Sequence, residues 1–210
     1  MGLKEFFKEK QFEREHPGTL VVGDYKVRFN QEWQGAEIGW VENKQLHGYG
    51  ICVLNKDKTE YEPMPSEVNG IPVVSAHSAF YGCRNLSKPP LLPEGLKSLE
   101  RTFEDCDKLT EAPTIPKTVQ NMEFTFAKCK GLINPPEIPN GVKTMYATFW
   151  DCSSLTKLPV IPDSVKQTGY VFEGCPKETL ADTLLSDNAP INTNFTTDID
   201  EKSQDSHEEL

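Results

Sequence analysis

The sequence predicts an α/β repeat: a solenoid of short parallel strands and helical turns, preceded by a small β-rich N-terminal cap. Three observations carry this expectation. Cys83, Cys106, Cys129, Cys152 and Cys175 follow one another at intervals of 23 residues. Three residues before each stands a phenylalanine: Phe80, Phe103, Phe126, Phe149 and Phe172. Three residues after the first four stands a leucine: Leu86, Leu109, Leu132 and Leu155. Four further columns keep the same register. They begin at Pro90, Leu92, Pro93 and Leu96 and recur down to Pro159, Ile161, Pro162 and Val165. Self-similarity at one fixed period defines stacked repeats, each burying its apolar side against its neighbours.

Each repeat can be read locally. In "PNGVKTMYATFWDC", Val142, Met145, Phe149 and Cys152 fall at offsets 0, 3, 7 and 10. That spacing describes one face of a helix rather than the alternation of a strand. Gly95, Thr118, Gly141 and Ser164 stand just before this face and suit a helix start. The other half reads "LTKLPVIP". Leu155 and Leu158 bracket two outward residues, and prolines follow. Proline cannot donate to a ladder, so a strand here is short and ends near Pro159. Such strands would stack in parallel at about 4.8 Å.

The pattern "FxxCxxL" followed by "IPxxV" resembles the BspA-like leucine-rich repeats of bacteria and some protists. The composite "LxxLPxIPxxVxxMxxTFxxC" is similar to proline-rich members of that group. Residues 65–83, "PSEVNGIPVVSAHSAFYGC", resemble the start of such an array. The resemblance covers roughly residues 60–176. It implies a curved leucine-rich-repeat solenoid used for binding, with the sheet on its concave side. Many relatives are secreted or surface-attached. Here the N-terminus, "MGLKEFFKEKQFEREH", is charged throughout and shows no apolar h-region. The expected compartment is the cytoplasm.

Five segments are expected. Residues 1–17 form an N-terminal helix around Leu3, Phe6 and Phe7, stopped by Pro17-Gly18. Residues 18–72 form the β-rich cap, and residues 73–176 the repeat array. "WVENKQLHGYGICVLNKDKTEY", within the cap, also resembles a single MORN-type β-repeat, against the plainer reading of a meander. Residues 177–191 form a C-terminal capping helix with Leu180, Leu184 and Leu185 on one face. Residues 192–210 form a disordered acidic tail. The net charge of −10 is unevenly spread. Residues 80–175 carry 11 basic against 11 acidic side chains, and residues 176–210 carry 2 against 9.

Composition and spacing also bear on function. Without a basic patch, nucleic acid is not an expected partner. Without about 18 consecutive apolar residues, no membrane span is expected. No CxxC occurs, and the four histidines are scattered, so neither a metal nor another cofactor is expected. The cysteine column reads as buried thiols acting as small hydrophobes. The column Thr102, Thr125, Thr148 lacks a recurring base beside it, so it reads as hydroxyls bonded to a neighbouring carbonyl. No catalytic residue is assigned, and the chain is expected to be no enzyme. The expected role is a scaffold for a protein partner. The alternative is an adhesin or receptor-like module that binds a glycan or host surface. The candidate partner-binding residues are Ser87, Lys88, Thr110, Glu111, Ile133, Asn134, Thr156 and Lys157. They follow the column leucine, and the fold needs nothing specific of them. Ile133 is apolar where a solvated face favours a polar residue, which makes it the candidate anchor.

Overall fold

The structure, a computed structural model, describes residues 20–30, 35–38 and 56–177. The expected helices at 1–17 and 177–191, the tail at 192–210 and most of the MORN-like stretch lie outside these residues, apart from Lys177 at the edge.

Among the described residues the cap opens with the strands β1 (Leu20–Val22), β2 (Tyr25–Asn30) and β3 (Gly35–Ile38). They pair antiparallel in sequence order. The β1–β2 connection is two residues long, and Gly23 supplies its left-handed conformation at φ +55°. A second hairpin joins β4 (Glu67–Val68) to β5 (Ile71–Ser75) through Asn69-Gly70. Both turn residues have positive φ, as a primed hairpin turn requires. The cap does not remain wholly antiparallel. β3 pairs with β5 in parallel, giving the sheet order β1-β2-β3-β5-β4. The end of β5 then hands this parallel pairing to the array. Single-residue parallel bridges run Ser75–Ser98–Asn121–Thr144–Gln167.

The array departs from the expected strand and helical turn. Where a helical turn is expected, the described chain forms consecutive β-turns. Thr102, Glu104 and Cys106 donate their N–H to the carbonyls of Leu99, Arg101 and Phe103, three residues back. The intervening N–H groups go to the next repeat: Leu99, Arg101, Phe103 and Asp105 donate to the carbonyls of Asn121, Glu123, Thr125 and Ala127. Four such bonds, between 2.6 and 3.0 Å, recur at each of the four junctions between repeats. In each inner repeat the peptide units 98–99, 100–101, 102–103 and 104–105, or their equivalents, accept from the repeat before and donate to the repeat after.

The reason lies in the backbone. Ser78, Arg101, Phe124, Ala147 and Tyr170 all have φ between 51° and 57°. Four residues later Gly82, Asp105, Lys128, Asp151 and Gly174 are left-handed too. A left-handed residue costs a non-glycine about 1–2 kcal/mol and breaks an α-helix. Here the ladder bonds on either side hold it in place. The segment after the column leucine, where the strand was expected, makes only a sparse ladder. Ile133 donates to Thr110 and Thr156 to Ile133, with one bridge, Glu111–Asn134.

The core runs the length of the array. Phe80, Phe103, Phe126 and Phe149 are fully buried. Their rings and that of Phe172 stack face to face, with centroids 5.3, 5.6, 5.7 and 5.7 Å apart. At the N-terminal end Tyr25 meets Phe80 edge-on at 6.1 Å and Tyr61 lies tilted on it at 5.1 Å. Tyr25 Oη donates to the Glu62 carbonyl. The cap thus covers the first phenylalanine with two rings whose hydroxyls keep polar partners.

Candidate functional site

The structure places the structural columns as their spacing suggests. Cys83, Cys106, Cys129, Cys152 and Cys175 are buried free thiols. They also donate: the Sγ atoms of Cys106, Cys129, Cys152 and Cys175 lie 3.0–3.2 Å from the carbonyls of Phe80, Phe103, Phe126 and Phe149 in the preceding repeat. The threonines act in the same way. Thr102, Thr125 and Thr148 donate Oγ1–H to the carbonyls of Ala76, Leu99 and Met122 at 2.7–2.9 Å. The partner carbonyl is in the neighbouring repeat, not in the same turn. Each of these carbonyls also accepts the N–H three residues on, so the side chain satisfies its second lone pair.

Burial pushes the Cys83, Cys129 and Cys152 thiols up, and Cys175 up to about 11. A thiol that stays protonated is a poor nucleophile. The four thiols are therefore expected to resist a bulky maleimide in native buffer and to react once urea unfolds the chain. Mass spectrometry before and after unfolding checks this, and labelling of the folded protein at the column would contradict it.

All eight candidate binding residues are exposed. They form two adjacent columns, one residue pair per repeat. Their upper end touches the cap region: Ser87 N donates to the Thr59 carbonyl at 2.9 Å, and Lys88 Nζ lies 3.6 Å from Glu60. Thr156 Oγ1 is occupied by the Ile133 carbonyl at 3.0 Å. Ile133 itself is 41 % exposed between Thr110 and Thr156. The stripe is thus an exposed row with one apolar point.

A second exposed row was not found from the sequence. It lies on the β-turn side. The Arg101 guanidinium sits 4.1 Å from the centre of the Phe124 ring. Phe124 meets Tyr146 and Tyr146 meets Tyr170, both edge-on at 5.5 Å. Beside the rings stand Glu100 and Glu123. Burial, reinforced by Glu123, raises the Glu100 carboxyl above its ordinary range. Burial also raises Glu104, against the pull of Arg101, whose guanidinium donates to it at 2.7 Å. These residues escape notice because their columns change residue type along the array: His77, Glu100, Glu123, Tyr146 and Gly169 share one, and Ser78, Arg101, Phe124, Ala147 and Tyr170 the next. The available signal is three aromatics, Phe124, Tyr146 and Tyr170, outside the seven core columns.

Stacked 23-residue units, a continuous phenylalanine core and exposed variable columns define a leucine-rich-repeat solenoid. Six copies of the BspA type leucine rich repeat region match residues 74–194, and the chain belongs to that family. The fold is similar to the leucine rich repeat protein TpLRR of T. pallidum, with 26% identity and a TM-score of 0.57. That match covers 71% of this chain and 64% of the T. pallidum protein, so this chain spans less than two thirds of its length. A leucine-rich repeat protein of Bacteroides ovatus shares the fold at 23% identity and a TM-score of 0.54, over 71% of this chain and 37% of that one. Among curated proteins no sequence matches this chain.

Proposed function

We propose that the chain is a non-enzymatic scaffold that binds a protein partner through its solenoid surface. The carrying observation is the exposed stripe from Ser87 and Lys88 through Thr110, Glu111, Ile133 and Asn134 to Thr156 and Lys157. Its neighbours, Leu86, Leu109, Leu132 and Leu155, are fixed by the core. The stripe is free to vary, and repeat solenoids use such extended surfaces for binding. Ile133 supplies an apolar anchor and the flanking charges a polar rim.

The test is the double change Ile133→Asp with Lys157→Glu, checked first for unchanged melting. Affinity capture from the native cell should lose the partner retained by the unaltered protein. Unaltered capture with an intact fold would remove this stripe from consideration. The cytoplasm as the compartment is part of the proposal, and fractionation of tagged protein tests it: recovery in the medium or envelope fraction would refute it.

A further inference from the structure

The aromatic row on the β-turn side has features the core does not explain. Tyr146 is 37 % and Tyr170 57 % exposed. Phe124 and Tyr170 both sit at left-handed positions, φ 52° and 57°, where a bulky side chain is disfavoured. Glycine takes such a conformation without cost, as it does four residues farther along at Gly82 and Gly174. Glycine is used instead where Tyr146 needs room: a Cβ at residue 169 would lie 2.9 Å from the Tyr146 ring. The result is a shelf of rings, each presenting part of a face or edge.

The row already shows which chemistry it accepts. Arg101 lies over Phe124 at 4.1 Å while its NH1 donates to the Glu104 carboxylate at 2.7 Å. A guanidinium is satisfied by a ring face and a carboxylate together. The same pair of elements continues beyond Arg101. Glu123 and Glu100 flank the row, and their carboxylates are held by neighbours. Thr144 Oγ1 donates to Glu123 at 2.8 Å, and Asn121 Nδ2 to Glu100 at 3.4 Å. Glu100 also faces a basic neighbour, His77, whose Nδ1 lies 3.7 Å from its carboxylate, whereas the Thr144 hydroxyl leaves the Glu123 charge in place. Lys166 Nζ donates to the Asp163 carbonyl.

We propose that the row Phe124–Tyr146–Tyr170, with Glu123, docks an arginine side chain of a partner protein. The arginine plane stacks on the exposed tyrosines and its N–H groups reach the Glu123 carboxylate. Charge complementarity selects a cation, and the rings favour a planar guanidinium over a compact ammonium. This site lies in different columns from the stripe containing Ile133. It stands or falls separately from that stripe.

The experiment uses the full chain and an acetylated Gly-Arg-Gly-Arg-Gly peptide, followed by NMR of the tyrosine and phenylalanine ring signals. Saturable shifts are expected at Tyr146, Tyr170 and Phe124. The lysine version of the peptide should bind about two- to fivefold more weakly, the range for one exposed cation–π contact. Tyr170→Asn removes the ring with a residue that tolerates the left-handed backbone, and Glu123→Gln removes the charge. Each should weaken binding by a similar factor without lowering the melting temperature. If Tyr170→Asn fails to fold, Glu123→Gln alone decides. Unmoved ring signals, or equal affinity of both variants and the parent, would overturn the proposal. Equal binding of the two peptides would reduce it to unspecific charge attraction and overturn it too. A neutral oligosaccharide that shifts the same rings regardless of Glu123 would reassign the row to glycan.

Discussion

Truncating Phe126 to alanine is expected to cost about 3–5 kcal/mol, through lost burial plus the cavity left behind. Its ring is fully buried and stacked on both faces, by Phe103 at 5.6 Å and Phe149 at 5.7 Å. Phe149→Ala should match it, since Phe149 is fully buried between Phe126 and Phe172. Phe172 is only half-buried, so Phe172→Ala should cost clearly less. Urea midpoints of the three variants measure the order. Three equal losses would contradict the graded burial.

Gly131→Ala is expected to destabilise by about 1–3 kcal/mol, the range for forced overpacking. A Cβ at this position would lie 2.5 Å from the Asp107 carbonyl oxygen, which belongs to the backbone of the preceding repeat. The obstacle cannot rotate away as a side-chain tip could, so the spacing of two repeats must change. Gly141→Ala is a useful comparison. There the nearest atom, the Lys117 carbonyl oxygen, lies at 3.0 Å, and the loss should be smaller. Denaturant unfolding of both variants tests the pair. A neutral Gly131→Ala would mean that the two repeats are not packed as tightly as described.

The array was legible in the sequence because its core depends on a period. Phe126, Cys129 and Leu132 must be where they are, and each is repeated. The local conformation was not legible. Val142, Met145, Phe149 and Cys152 carry a helical spacing, yet a run of β-turns also brings residues three apart together. The discriminating feature is the left-handed positions. Glycine marks them at Gly82 and Gly174, but Arg101, Phe124 and Lys128 disguise them elsewhere. The line of parallel bridges was missed for a related reason. Single-residue pairs at Ser98, Asn121 and Thr144 leave no alternation to read. The stripe around Ile133 could be chosen from sequence, because its variability shows against fixed neighbours. The row around Tyr146 could not, since it crosses from one column to the next.

The ladder bonds of the β-turn segments outnumber those that point the other way, such as the N–H groups of Lys97, Gln120, Lys143 and Lys166, and give the array a net electrical polarity. In an ordinary parallel sheet, successive peptide groups point to opposite sides and their dipoles nearly cancel. In the β-turn segments here, the four bridging peptides of each repeat all direct N–H toward the C-terminal end and C=O toward the N-terminal end. Their dipoles add along the solenoid axis, as they do in an α-helix, but with the sense of a positive pole at the C-terminal end. That end is where residues 176–210, with 2 basic and 9 acidic side chains, continue the chain. The charge that follows the array therefore has the sign its axial field favours, and high salt should weaken that preference.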